Sequence, residues 1–200
     1  MIAVIADGEE DRGTDVRERM ARSAAELFGE RGFSGTGLRD VIAHSSTPRG
    51  SIYHHFSGGK AELAREAVRH AAAAVAEPVG AAARGGDPIA TLHAWVDFWR
   101  DALERSDFRA GSAVLAVAAE PEEQTGARAA AAEAFDAWTE AFAATLHGAG
   151  VRRKRAARLA TLTVTAIEGA VVVSRARGDT VALDRVGREL EAAIEAARAS

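Results

Sequence analysis

The chain has 200 residues, a formal net charge of −4, four prolines and no cysteine. That length makes one or two small domains with room for a real core, and the lack of cysteine excludes a disulfide framework and a thiolate metal site. Abundant alanine with so little proline favours an all-α chain over a sheet protein.

The charge is spread unevenly. Between Arg17 and His70 nine Arg/Lys stand against six Asp/Glu, giving +3 with four histidines besides and leaving −7 on the remainder. A cationic module on an acidic body suits contact with nucleic acid, where local field decides binding more than total charge does.

Residues 1–14, rich in glycine and acid, are expected to form a disordered tail. They lack the basic leader and longer apolar stretch of a signal peptide. The one long apolar run, Thr161 to Ser174, is interrupted by Glu168 and too short to span a bilayer. A cytoplasmic protein is expected.

A first long helix is expected to start near Asp15, which can cap it, with Met20, Ala24, Leu27 and Phe28 at i, i+4, i+7 and i+8 before Gly32 ends it. Gly35 and Gly37 bracket Thr36, whose hydroxyl is expected to cap a short helix running to about His44. Leu38, Val41 and Ile42 are its core face. After the turn Ser45-Ser46-Thr47, the pair Thr47-Pro48 signals a second helix, with Thr as N-cap and Pro at the first helical position.

At 100° per residue, Pro48, Ile52 and Phe56 share a buried face of that helix, Gly50, Ser51 and His54 lie opposite, and Arg49 and Tyr53 sit on a shoulder. The outward face offers hydrogen-bonding groups and a cation but no large aliphatic side chain, as a DNA-reading helix requires. Gly50 inside a helix costs about 1 kcal/mol relative to Ala. That is tolerable where DNA, or a tightly crossing neighbouring helix, approaches the backbone.

Past Ser57-Gly58-Gly59 a helix is expected from Lys60 to Ala76, stopped by Pro78. Lys60 stands at its N-terminal end, where dipole and ammonium together favour a phosphate, simple solvation being the alternative.

Over roughly Arg17 to Ala67 the chain resembles the DNA-binding segment of the tetracycline-repressor (TetR) family. The matching residues are Thr36, Arg39, Asp40, Gly50, Ser51, Ile52, Tyr53, His55, Phe56 and Lys60. The tail GSIYHHFSGGKAEL is similar to the LmrA/YxaF subgroup. Two positions depart from the pattern: Ser46 stands where glycine is usual in the turn, and Thr47 where an aliphatic residue is usual. The left-handed conformation costs serine more than glycine.

On this resemblance the fold is an N-terminal three-helix helix-turn-helix domain (15–59) and a C-terminal helical ligand-binding and dimerisation bundle (60–200), about nine helices in all. Thr36, Thr47 and Pro48 belong to the DNA-binding segment. Arg39, Tyr53, His55 and Lys60 are expected on phosphates, and Arg49, Gly50, Ser51 and His54 in the major groove.

The loop Arg84 to Pro88 leads to a helix from Pro88 to about Glu104 carrying Leu92, Trp95, Val96, Phe98, Trp99 and Leu103. A short helix near Ala113 to Ala119 follows, then a loop at Pro121 and a long helix from about Glu122 to Leu146 with Phe135, Trp138 and Phe142. Trp95, Phe98, Trp99, Phe135, Trp138 and Phe142, with His93 as a polar contact, are candidates to line a cavity for an apolar or aromatic ligand. The alternative is that they fill the core of an alanine-rich bundle. Two last helices, about Arg152 to Arg177 and Val181 to Ala197, resemble in position the pair that forms the family's four-helix dimer interface. The expected contacts are Leu159, Leu162, Ala166, Ala170 and Val173 with Leu183, Val186 and Leu190, unless the pair only closes the monomer's own bundle.

Together these readings point to a sequence-specific transcriptional regulator: a homodimeric repressor on double-stranded operator DNA, released by a small apolar or aromatic effector. No cofactor, metal or membrane partner is expected. The competing reading is a helical enzyme or ligand-binding protein that does not act on DNA. Its best candidates are His93 with Asp97, one turn apart, and the cluster Glu120, Glu122, Glu123. No phosphate loop, HExxH or nucleophile elbow is present, so an enzyme is not expected.

Overall fold

The computed structural model describes residues 3–48, 50–121 and 126–199, with side chains from Asp15 onward. Nine α-helices and no strand occur among the described residues. They are α1 (Ala3–Arg31), α2 (Leu38–Ser45), α3 (Ser51–His55), α4 (Gly59–Ala83), α5 (Pro88–Arg105), α6 (Ala113–Ala118), α7 (Arg128–Gly148), α8 (Arg153–Arg177) and α9 (Val181–Arg198).

The chain divides into two compact units, Met1–Ala71 with Ala113–Ala131, and Ala72–Ser112 with Ala132–Ser200. This is not the division at residue 59 read from the sequence. The first turns of α4 bury Leu63, Ala64, Ala67 and Val68 in the first unit, so α4 contributes residues to both.

In the first unit, α1 packs against α2, α3 and α6. Met20, Ala24, Leu27 and Phe28 are buried as the helical spacing requires, with Phe33, Val41, Ile52 and Phe56 completing the core. Helix α1 begins at Ala3 rather than near Asp15. No proline interrupts residues 3–31, and adding a residue to an existing helix carries no nucleation penalty. Asp15 is therefore inside the helix, paired with Arg19 one turn on at 3.2 Å.

In the second unit, α5 packs on α8 and α9, which form an antiparallel pair. Asp87 caps α5 by accepting the Ile89 N–H at 3.0 Å, with Pro88 at the first helical position, as Pro at that position favours. Arg100 ties α5 to α9 through Asp184 at 2.8 Å, and Thr180 donates to the same carboxylate at 3.1 Å.

Boundaries of α4 and α7 also differ from the sequence reading. Pro78 does not stop α4, which runs on to Ala83. Proline removes one helical hydrogen bond and crowds the preceding turn, but alanine-rich turns on both sides carry the helix through it. Helix α7 starts at Arg128, not Glu122; residues 122–125 lie outside the described set.

Candidate nucleic-acid interface and effector cavity

Helix α2 ends in a left-handed Ser46 (φ 54°, ψ 38°). Its N–H donates to the Ala43 carbonyl at 3.4 Å, and the Thr47 N–H to the Ile42 carbonyl at 3.3 Å, the pair of bonds that closes a Schellman turn. Serine thus takes the place usually given to glycine. The Thr47 hydroxyl is buried on Ser45, 2.8 Å away, rather than capping the next helix. With that cap unused, α3 begins at Ser51, and Pro48 is exposed rather than sharing a core face with Ile52 and Phe56.

Thr36 is likewise not a cap. Its hydroxyl is buried and donates to the carbonyls of Gly32 at 2.9 Å and Leu27 at 3.2 Å, closing the end of α1. The start of α2 is held by Asp40, which accepts the Gly37 N–H at 2.7 Å. A Cβ on Gly35 would stand 2.4 Å from the Arg31 carbonyl oxygen, so only glycine fits there. Leu38 and Ile42 are half-buried, and Val41 carries that helix's core contact.

What α3 presents outward is polar. Tyr53 is 70% exposed, Gly50 and His54 are exposed, and Ser51 and His55 are half-covered. Among the described residues nothing beyond its chain neighbours comes within 4 Å of a Cβ added to Gly50, so no crossing helix there requires glycine. Arg39 is exposed on α2. Arg49 lies outside the described residues.

Arg17 of α1 holds this face in place, and the sequence reading missed it. Its guanidinium donates to the His55 carbonyl at the end of α3, to Glu62 at 3.0 Å and Glu66 at 3.2 Å on α4, and lies 4.5 Å over the Phe56 ring. Glu62 also accepts the Gly58 N–H at 2.9 Å. That backbone bond is the main cause of its lowered pKa, with Arg17 and Arg65 adding to it against desolvation. The signal for this latch was a pair of acids one turn apart on α4, but their partner lies 45 and 49 residues away in sequence.

Lys60 is turned inward. Its ammonium donates to the Phe33 carbonyl at 2.6 Å and lies 3.9 Å over that ring. Burial pulls its pKa down, while Glu120 and Asp40 act to raise it. His55 has a lowered pKa, first from burial, then from His54 and Arg17. A neutral imidazole at pH 7 follows, so His55 brings hydrogen bonding rather than charge to any phosphate.

The second unit contains a cavity of about 370 Å³ walled by α4 from Ala72 to Ala83, by Thr91 and Trp95 of α5, and by α7 from Ala134 to Thr145. Of the aromatic residues expected to line it, Trp95, Trp138 and Phe142 do. Phe98, Trp99 and Phe135 do not: Phe98 stacks edge-on against Trp99 at 5.2 Å and Phe135 against Trp138 at 5.7 Å. His93 is also elsewhere, bonded to Glu191 of α9 at 3.0 Å. Asp97 is engaged by Arg100, so His93 and Asp97 do not converge. Glu120 accepts the Ser34 N–H at 3.3 Å, and Glu122 and Glu123 lie outside the described residues.

The α8/α9 pair exposes only part of the stripe expected. Leu159, Ala170, Leu183 and Leu190 are buried inside the unit, where no partner can reach them. Leu162 is 51% and Val173 45% exposed, joined by Val172 and Val181, with Ala166 and Val186 half-covered. Helix α8 is apolar on both sides, so its periodicity alone does not say which side the neighbouring helices cover. Its length and composition would allow a membrane span, but half of the apolar window is buried in the unit, as in a core helix.

Residues 22–67 match the family described as bacterial regulatory proteins of the tetR family. Residues 88–189 match the C-terminal domain of LmrA/YxaF-like transcriptional regulators. The chain is 41% identical to the HTH-type transcriptional regulator Rv0196 of Mycobacterium tuberculosis over 87% of its own length and 91% of that protein's. It is 30% identical to the HTH-type transcriptional regulator LmrA of Bacillus subtilis, over 80% and 86% of the two chains. Among solved structures, a TetR transcriptional regulator from Chloroflexus aurantiacus superposes with a TM-score of 0.76 at 28% identity, covering 92% of this chain and 96% of that one. With a polar α3 face latched onto α1 and the first turns of α4, and with a second unit that is likewise helical, the chain belongs to the TetR family, in its LmrA/YxaF-like group, and is a DNA-binding transcriptional regulator.

Proposed function

We propose that the protein is a homodimeric repressor that leaves its operator when a small, largely apolar molecule enters the cavity of the second unit, and that it works in the cytoplasm, where such an operator is found. The observation that carries this reading is the division of labour along α4. Its first turns hold Glu62 and Glu66, which grip Arg17 and through it the end of α3; its later turns, Ala72 to Ala83, wall the cavity. A ligand that alters the path of α4 in one unit acts on a helix that supports the reading face in the other.

In this reading Arg39 and Tyr53 hold phosphates, Arg49, Gly50, Ser51 and His54 meet base edges, His55 bonds as a neutral group, and Lys60 braces the domain from inside. The twofold partner packs on the exposed stripe of α8, around Leu162, Ala166, Val172 and Val173, with Val181 at its edge. Two reading heads then require a nearly palindromic site with half-sites about 34–36 Å apart or a multiple of that spacing.

Tight binding of a ligand does not by itself release DNA. Shifting the population from 1:99 to 99:1 takes about 5.5 kcal/mol of preference for the DNA-incompetent state, and by reciprocity operator DNA weakens the ligand by the same factor. The test uses a DNA fragment that the protein selects from a genomic library, and an apolar compound that binds the protein. Ligand affinity is measured by calorimetry with and without saturating DNA. Weaker binding in the presence of DNA supports the switch; equal affinities overturn it.

A further inference from the structure

The volume of the cavity and its extent along the helices together describe its shape. It is bordered at every turn of α4 from Ala72 to Ala83 and at every turn of α7 from Ala134 to Thr145. Each of those stretches advances about 16 Å, and two helices that crossed steeply would diverge before sharing one space over such a distance. The Trp138 indole N–H, which donates to the Ala72 carbonyl at 3.2 Å, ties them together near one end. A round cavity of about 370 Å³ would be only about 9 Å across. Spread over about 16 Å, the same volume has a mean cross-section of roughly 23 Å².

Its capacity can be counted in two ways. At about 30 Å³ for a group the size of a water molecule or a methylene, the space holds roughly a dozen. In an extended chain, at about 1.2 Å per bond, a dozen carbons reach about 13 Å. Capacity and length agree when the occupant lies in single file. The wall asks for no polar group: among the described residues no charged side chain lines it, and the hydroxyls of Thr91 and Thr145 already donate to carbonyls one turn back, at 2.8 and 3.1 Å. Ala73, Ala76, Ala137 and Ala141 line the cavity and are exposed, so it opens to solvent and a polar head group keeps its water.

We propose that the cavity takes an unbranched alkyl or acyl chain of about a dozen carbons, laid along α4 and α7 with its head group in solvent, and selects it by length and width. This rests on the effector reading of the same cavity and adds the shape and chemical class of the molecule.

The test compares three alcohols of equal carbon count on the full chain: 1-dodecanol, the branched 2-butyl-1-octanol and the compact 2-(1-adamantyl)ethanol. Binding is read by tryptophan fluorescence, since Trp95 and Trp138 line the cavity. The wild type should bind the straight chain roughly tenfold more tightly than its branched isomer, because a branch does not fit in single file. Across straight-chain alcohols from hexanol to tetradecanol, affinity should rise roughly threefold with each methylene and level off near dodecanol. Ala83→Leu lengthens a side chain at one end of the cavity, so the levelling should come about three carbons earlier. Equal binding of dodecanol and its branched isomer overturns the proposal whatever the variant does, as does a levelling point that Ala83→Leu leaves in place. Binding of the compact alcohol without binding of dodecanol overturns it while the effector reading stands. Failure of all three alcohols to bind the wild type overturns the effector cavity itself, and the proposal with it.

Discussion

Replacing Glu168 by Gln tests the energetics of the second unit at its most unusual position. Glu168 stands on the covered side of α8, 4% exposed, and no donor closes on either carboxylate oxygen with hydrogen-bond geometry. Burial is the larger influence and pushes the pKa from 4.5 up to about 7, with Ser112 acting to lower it. The folded protein therefore holds this proton more tightly than the unfolded chain. Stability is greatest, as far as this group is concerned, below pH 4.5, falls as pH rises from 4.5 to 7, and levels off above 7.

At 1.36 kcal/mol per unit, the shift amounts to about 3 kcal/mol in full, of which roughly 2–3 kcal/mol falls between pH 5 and pH 8. Glutamine keeps the shape and cannot ionise. Its amide brings unpaired groups of its own, so the informative quantity is the slope with pH rather than the absolute stability. Urea unfolding followed by circular dichroism at fixed protein concentration, at pH 5 and pH 8, should show the wild type losing roughly 2–3 kcal/mol more than Glu168→Gln over that interval. Groups common to both proteins cancel in the comparison. Parallel profiles would refute the reasoning and mean that the carboxylate finds a compensating partner when ionised.

Two further outcomes follow from side-chain placement. Arg17→Ala removes the latch between α1, the end of α3 and α4, so amide exchange in α3 should speed up and operator affinity fall, while amides of α8 and α9 keep their protection; unchanged exchange in α3 would remove Arg17 from its positioning role. Leu162→Asp puts a charge on the exposed stripe of α8, so under the proposed assembly sedimentation should find the wild type dimeric and the variant a folded monomer, and an intact variant dimer would move the interface elsewhere.

Much of the first unit is readable along the chain because its determinants are local. The 20, 24, 27, 28 spacing on α1, the left-handed turn at Ser46 and the buried pair Ile52 and Phe56 follow from periodicity and turn chemistry within a few residues. The same holds for the Asp87-Pro88 start of α5. What tertiary structure alone decided are choices between partners far apart in sequence. The hydroxyl of Thr36 and the ammonium of Lys60 each had a plausible local role, as cap and as phosphate ligand, and each took a carbonyl inside the first unit instead. Arg17 found its acids on a helix that the spacing of α1 does not mention.

The second unit shows the same limit in its packing. Composition could identify aromatic residues on α5 and α7 but not which of them would border empty space, because a cavity is defined by neighbours that fail to meet. Part of one wall, Val79, Gly80 and Ala83, lies beyond Pro78, where the sequence reading had ended that helix. In α8, with apolar residues on every side, a helical repeat contains no preferred face. Only the docking of α5 and α9 determined that Leu159 and Ala170 are core while Leu162 and Val173 remain at the surface.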